Sequence, residues 1–421
     1  MNNANQHIPA GYKSSPLGII PENWEVKRLG EIAEIGSGGT PSKGHSEYWN
    51  GNIPWITTSL LNNPYIETAE EYITEEGLNN SSAKMLNEGV LLMAMYGQGQ
   101  TRGKVSKLLI RASTNQACAY IDVHTGLVDY IHQNLIANYE SIRNESNDGN
   151  QKNLSLGIIS NIRISFPPFP EQQRIVSLLS FWDTAISKQT QLVEKLTLRK
   201  RGLMQQLLTG KKRLKGFEGE WKEVKLGEIG TTYSGLSNKN KDDFEKGNAQ
   251  FITYMNVFQN AKIDKNNLGQ VQVLQSENQE KVQYGDIFFT VSSETPDEVG
   301  MASVLLNEVQ NTYLNSFCFG YRLNNFKTLD PEYASYHLRG DDFRIEMIKI
   351  AQGSTRYNIS KKEVLNTKII IPSIEEQNAI SSILIQADKE IDLEKQKLMS
   401  LQEQKKGLMQ VLLTGKKRII I

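Results

Sequence analysis

The string GLMQQLLTGKKR begins at Gly202 and returns as GLMQVLLTGKKR at Gly407, eleven of twelve residues matching at an offset of 205. Upstream at the same offset, Ile175, Asp183 and Ile186 answer Ile380, Asp388 and Ile391. A one-residue shift aligns Pro168, Glu171 and Gln173 with Pro372, Glu375 and Gln377, an offset of 204. Asn153-Leu154-Ser155 answers Asn358-Ile359-Ser360, and Asn115 and Cys118 answer Asn315 and Cys318 at an offset of 200. Trp24 with Leu29-Gly30-Glu31-Ile32 answers Trp221 with Leu226-Gly227-Glu228-Ile229 at an offset of 197. A fixed-period repeat over 421 residues reads as two copies of one unit, in keeping with the two to three domains such a length implies.

The copies do not diverge evenly. Their C-terminal segments are nearly identical, whereas residues 36–113 and 233–312 share almost no identity. One scaffold therefore carries two different heads, which is not how duplicated catalytic sites behave, since those keep the same polar residues. The apolar runs Ile53-Pro54-Trp55-Ile56, VLLMAMY at 90–96 and DIFFTV at 286–291 read as strands between Gly, Asn, Ser and Thr-rich turns. The LGEI motif opens each head as a short strand or helix. Cys118 and Cys318, in the apolar runs ACAYI and FCFGYRL, read as equivalent buried strand residues with a structural role. The fold class is α/β: two mixed α/β heads joined by two long helices. The expected domains are 1–170 and 211–371 for the heads, 171–210 and 372–415 for the helices, and 416–421 as a tail.

After Phe166-Pro167-Pro168-Phe169-Pro170 and after Ile371-Pro372 the apolar period changes from about 2 to about 3.5, with Gly210 and Gly415 as stops. Leu384, Ala387, Ile391, Glu394, Leu398, Leu401, Lys405, Leu408 and Leu412 form a coiled-coil seam, matched by Leu179, Trp182, Ile186, Gln189, Val193, Leu196, Lys200, Leu203 and Leu207. A helix of roughly 38 residues would span about 57 Å. Parallel helices would set Lys200 against Lys405, a like-charge contact in a partly buried seam. An antiparallel pair centred on Val193 and Leu398 instead brings Glu394 within a turn of Lys200 and Gln189 near Lys405. The expected arrangement is antiparallel, with the heads at opposite ends of a rod and a pseudo-twofold relation between copies. GKKR at 415–418 then returns beside the first head, as GKKR at 210–213 leads into the second.

Charge bears on what the chain can bind. The 47 Lys+Arg cancel the 47 Asp+Glu, and only residues 171–216, with 10 basic against 3 acidic side chains, are strongly basic. Phosphate neutralisation usually dominates affinity for DNA, so a chain like this needs a partner to bind it tightly. Two cysteines and five scattered histidines offer neither a disulfide framework nor zinc-ligand spacing. Neither a membrane-spanning apolar stretch nor an export signal is visible, so a cytoplasmic location is expected.

Motifs of catalysis are near misses. Asn62-Asn63-Pro64-Tyr65 resembles the loop of adenine amino-methyltransferases but lacks a proline and has no companion glycine motif for a methyl-donor cofactor, and a turn accounts for it. GQGQTRGKV at 97–105 fails the phosphate-loop spacing and has no Ser or Thr after Lys104. Pro296-Asp297-Glu298 starts like a nuclease motif without a well-placed Glu-x-Lys behind it. His7, His45, His124, His132 and His337 have neither repeat counterparts nor a nucleophile setting. The expectation is a chain with no catalytic residues, metal or cofactor.

GIIPENWEVKRLGEI, GGTPSK with IPWITT, TNQA, a Pro-x-x-Glu-x-Gln segment heading a long helix, and LLTGKKR together resemble the specificity subunit of type I restriction-modification systems over essentially the whole chain. That resemblance implies two target recognition domains, each reading half of a bipartite double-stranded DNA target, and an antiparallel coiled coil as the ruler between them. It implies a non-catalytic adaptor for two modification (methyltransferase) subunits, with restriction (translocase/nuclease) subunits joining that core. A spacing near one helical turn, ~34 Å, would put both heads on one face of the duplex. Reading bases calls for Arg or Lys against guanine and Asn or Gln against adenine, carried on loops. The candidates are Thr40, Ser42, Lys43, Tyr96, Gln98, Gln100, Thr101, Arg102 and Lys104 in the first head. In the second they are Asn238, Lys239, Lys241, Ser292, Ser293, Thr295, Gln352, Ser354, Thr355, Arg356 and Tyr357. Arg199, Lys200, Arg201, Lys211, Lys212 and Arg213 could touch phosphate, although charge complementing a helix C-terminus explains them almost as well. A coiled-coil scaffold without DNA binding and a fused methyltransferase or nuclease are the alternatives. Divergent heads on matched helices argue against the first, and missing cofactor and metal motifs against the second.

Overall fold

A computed structural model describes residues 8–97, 100–145 and 153–419. The chain packs as two compact units, the first joining Met1–Thr190 to Lys397–Ile421 and the second comprising Gln191–Gln396. Each unit therefore holds one head together with portions of both long helices, so the packing boundaries fall inside the helices and not at their ends.

In the first unit the head is built on a five-stranded sheet of β1 (Ala33–Ser37), β2 (Tyr65–Ile66), β3 (Leu91–Ala94), β4 (Val105–Leu108) and β5 (Cys118–Val123), in the order β1-β5-β3-β4-β2. VLLMAMY supplies β3, whose four residues are all buried, as a strand covered on both faces requires. The second unit repeats the plan with β6 (Gly230–Ser234), β7 (Ile287–Thr290), β8 (Ser292–Ser293), β9 (Ala302–Val304), β10 (Cys318–Leu323) and β11 (Tyr357–Asn358). Its main sheet runs β6-β10-β7-β9, and β8 pairs with β11. LGEI is a one-turn helix before β1 and again before β6. Cys118 and Cys318 open the central strands β5 and β10 and are buried free thiols, raised by burial to about 11 and about 12.

The two long helices are α1 (Phe169–Leu207) and α2 (Ile374–Leu412), 39 residues each. All eighteen expected seam positions are buried or half-buried. Within the first unit, Lys405 Nζ lies 2.6 Å from Asp183 Oδ1 and Arg418 grips Glu171 through two nitrogens at 2.7 and 3.0 Å. Within the second, Lys200 pairs with Asp388, Arg199 with Glu390, and Arg213 grips Glu376 at 2.7 Å twice. As residue number rises on α1 it falls on α2 in each unit, so the segments run antiparallel. The register differs from the sequence expectation by about one turn: Asp388, not Glu394, meets Lys200, and Asp183 meets Lys405. The aspartates sit one place beyond seam residues Trp182 and Ala387, where they reach the opposing lysine from the seam's flank.

A head residue completes each aspartate cluster. Gln133 Nε2 donates to Asp183 Oδ2 at 2.8 Å, and Tyr336 OH donates to Asp388 Oδ2 at 2.6 Å. Asp388→Lys is accordingly expected to lower the stability of the second unit by setting two ammonium groups together. Lys200→Asp combined with Asp388→Lys should recover about 1 kcal/mol of coupling, the scale of a partly exposed pair. Urea unfolding of the four chains of this double-mutant cycle measures it, and strict additivity would refute the pairing.

The helix-start motif also needs realignment. Gln172 Nε2 donates to Pro167 O and Gln377 Nε2 to Pro372 O, while their Oε1 atoms accept from Leu127 N and Asp330 N. Glu171 and Glu376 take the arginines. The equivalent sets are thus Pro167, Glu171, Gln172 and Pro372, Glu376, Gln377, at the same offset of 205 as the helices; the one-residue shift is wrong. Gly210 and Gly415 both adopt φ +71°, the left-handed turn that ends a helix without a Cβ clash. Gly415 packs on Pro21 and Trp24, and Gly210 on Trp221, so each GKKR docks on a repeat-equivalent tryptophan.

Candidate nucleic-acid interface

Strand direction decides which loops can act together. β1 and β3 both run antiparallel to β5, with Ser37 opposite Ala119 and Ala94 opposite Cys118. The loops that follow β1 and β3 consequently leave the sheet at one end, where the TNQA segment enters β5. Backbone bonds fasten them there: Gly39 N donates to Thr114 O at 2.8 Å and Met95 N to Ala117 O at 2.9 Å. Thr40 Oγ1 bonds Gln116 Oε1 across the gap. A Cβ on Gly38 would sit 2.0 Å from Thr114 O, so only glycine allows this approach.

The second head repeats the construction. Ser234 lies opposite Phe319 and Thr290 opposite Cys318. Leu236 N donates to Leu314 O at 2.7 Å and Val291 N to Phe317 O at 3.1 Å. Gly235 stands where Gly38 does, 2.0 Å from Asn315 O for an added Cβ. Pairing of β8 with β11 brings a third loop, 352–357, to the same end. In the first head, Leu154 N donates to Met95 O just as Ile359 N donates to Val291 O in the second.

Sequence-selected residues divide accordingly. In the first head Ser42, Lys43, Tyr96 and Gln100 are exposed, while Thr40, Thr101, Arg102 and Lys104 are half-buried. Lys43 Nζ lies 6.0 Å from the Trp49 ring, and Lys104 Nζ donates to Asn62 Oδ1 at 2.7 Å. Gln98 lies outside the described residues. In the second head Asn238, Lys241, Thr295, Gln352, Ser354, Thr355 and Arg356 are exposed. Ser292 and Tyr357 are half-buried on the paired strands β8 and β11, Ser292 opposite Asn358 and Tyr357 opposite Ser293.

Two candidates are placed differently. Lys239 has a side chain only 5% exposed and bonds Glu277 Oε1 at 2.6 Å, which pulls the Glu277 carboxyl down to about 2. Ser293 is buried and donates to Glu298 Oε2 at 3.2 Å. Both shape their loops from inside, because a loop of this length needs internal polar contacts to hold one conformation. Sequence reading also missed groups at this end. Gln116 lies within the TNQA motif, Lys361 Nζ donates to Ser234 Oγ at 2.6 Å, and Phe317, expected with its buried strand, is 67% exposed.

The near-miss motifs are spent on structure. Asn63 O accepts from Ser106 Oγ at 2.6 Å and Pro64 O from Lys107 N at 2.9 Å. Arg344, its guanidinium pKa lowered by burial, binds the carbonyls of Asp297, Val299 and Gly300. Arg199, Lys200 and Arg213 of the basic run are in ion pairs with α2, whereas Arg201, Lys211 and Lys212 are exposed. Among the described residues, no group of three or more His, Cys, Asp or Glu could hold a metal ion, and no helix is long and apolar enough to cross a membrane.

Two heads of one design, each gathering polar loops at one sheet end and sharing one helical apparatus, define a duplicated recognition protein. The family model described as the type I restriction modification DNA specificity domain matches residues 21–197 and again 218–403. The chain belongs to this family; it is a non-catalytic DNA-specificity component with two recognition domains. It is 24% identical to the type I restriction enzyme MjaVIII specificity subunit of Methanocaldococcus jannaschii over 425 residues, 95% of this chain and 94% of the relative. It is 30% identical to the EcoR124I/EcoR124II specificity subunit of Escherichia coli over 196 residues, 45% of this chain and 48% of the relative. The type I restriction-modification S subunit of M. genitalium has a similar fold, with a TM-score of 0.54 at 16% identity over 93% of this chain and 96% of that one. A chain solved in a study of type I R-M complex assembly and conformational transition gives 0.61 at 16% identity, covering 94% and 99%.

Proposed function

We propose that this chain directs a type I restriction-modification complex to a bipartite double-stranded DNA target, each head reading one half through the loops at its sheet end. Two modification subunits dock on it and restriction subunits join them in the cytoplasm. The convergence of loops in both heads, at the part of the repeat where identity is lost, carries this reading. Specificity belongs where sequence varies on a constant frame. Direct reading is assigned to the exposed set, Ser42, Lys43, Tyr96, Gln100, Asn238, Lys241, Thr295, Gln352, Ser354, Thr355 and Arg356. Thr40, Thr101, Arg102, Lys104, Lys239, Ser292, Ser293 and Tyr357 shape those loops. The near-neutral heads agree with partner subunits supplying much of the phosphate contact.

Methylome sequencing of cells expressing this chain with its modification subunit is expected to show a two-part methylated motif absent without the chain. Exchanging residues 36–150 for those of a relative should change one half of the motif and leave the other half intact. A motif that changes in both halves, or none at all from an assembled complex, would refute the assignment of one half-site per head.

A further inference from the structure

Phe317 stands out at the loop end of the second head. Its ring is 67% exposed, although its neighbours Asn315 and Cys318 are buried. The backbone cannot swing it inward: Phe317 N donates to Asn315 Oδ1 at 2.8 Å and Phe317 O accepts from Val291 N at 3.1 Å. Asn315 is itself tied to Ile252 O through Nδ2 at 3.1 Å. Val291 leads into β8, which carries the loop of Gln352 and Arg356 through its pairing with β11. A phenyl ring on a fixed backbone is therefore exposed at the sheet end that also carries exposed amide, hydroxyl and guanidinium groups. In the first head the repeat-equivalent residue is Ala117, and the exposed aromatic there is Tyr96 on the neighbouring loop.

Polar side chains read the donors and acceptors of base edges, but a phenyl ring has nothing to offer them. The apolar feature that the major groove presents is the C5-methyl group of thymine. We propose that Phe317 is a specificity-determining residue of the second head, covering the methyl group of one thymine in that head's half-site. This rests on the DNA-reading assignment above and adds to it a contact of stated chemistry.

The test uses the complex of the full chain with its modification subunits, bound to target duplexes in which each thymine in turn is replaced by deoxyuridine. The expected result is one replacement, in the half-site left unchanged by exchange of residues 36–150, that weakens binding roughly threefold to fivefold, the worth of one buried methyl group. In Phe317→Ala that penalty should vanish, while deoxyuridine in the other half-site acts as in the parent. Phe317→Leu should restore part of it. The proposal is overturned if no replacement in that half-site matters, or if the penalty survives in Phe317→Ala. It is also overturned if Phe317→Ala abolishes DNA bending with no methyl dependence, which would make the ring a wedge between base steps. A complex that assembles but shows no sequence-dependent binding at all would instead remove the DNA-reading assignment itself.

Discussion

Trp24→Ala is expected to lower the stability of the first unit by about 3–5 kcal/mol, the range for truncating a buried aromatic. Trp24 is fully buried, and its Nε1 donates to Glu171 Oε2 at 3.0 Å. Glu171 also holds Arg418, so the indole joins the head, the start of α1 and the end of α2. Truncation opens a cavity beneath Gly415 and removes a donor from a carboxylate that is 8% exposed. The equivalent change in the second unit should cost less, about 1–2 kcal/mol. Trp221 is half-buried, its Nε1 has no hydrogen-bond partner among the described residues, and Arg213 already occupies both oxygens of Glu376. Calorimetry or far-ultraviolet circular dichroism in urea compares the two variants, and equal losses would refute the asymmetry. A further consequence is functional, since a loosened GKKR end would free the C-terminal segment from Pro21 and Trp24 and so disturb the first head's half-site.

That asymmetry shows where the sequence speaks and where it is silent. The repeat announces two tryptophans, two GKKR ends and two glycine stops, because in each unit the turn at the helix end needs a glycine against a tryptophan. It leaves undecided which carboxylate each arginine takes, and Gln172-Gln173 in the first copy permits two alignments of the helix start. Only the bonds from Gln172 to Pro167 and from Gln377 to Pro372 decide between them. A seam of three-four spacing fits several antiparallel registers a turn apart, and the choice rests on Asp183 and Asp388, which lie outside it. The loops are harder still. Lys239 and Lys241 look alike in a polar stretch, yet one is buried on Glu277 and the other is exposed. Phe317 reads as the start of a buried strand until pairing shows that its strand begins one residue later, at Cys318.

Acid should weaken both units through one buried histidine in each. His132 is 1% exposed and His337 is 8% exposed, and burial pushes each imidazole down to about 4. Around His132 the carboxylates of Asp129 and Asp183 offset part of that burial and Lys107 adds to it; His337 stacks on Tyr333 with ring centroids 5.3 Å apart. In the unfolded chain such groups titrate near 6.5. Below that pH the unfolded state takes up a proton that the folded state refuses, so stability falls as the pH drops from about 6.5 toward about 4 and levels off below. At roughly 1.4 kcal/mol per pH unit, each histidine accounts for a loss on the order of 3 kcal/mol over that window. His132→Phe should flatten the slope for the first unit and His337→Phe that for the second, whatever each change does to stability at neutral pH. Unfolding free energies at half-unit intervals from pH 7 to 4 give the slopes. Parent and variant curves that remain parallel would show that the titration resides elsewhere, whereas a flatter variant curve would assign the acid sensitivity of each unit to a single neutral imidazole buried in it.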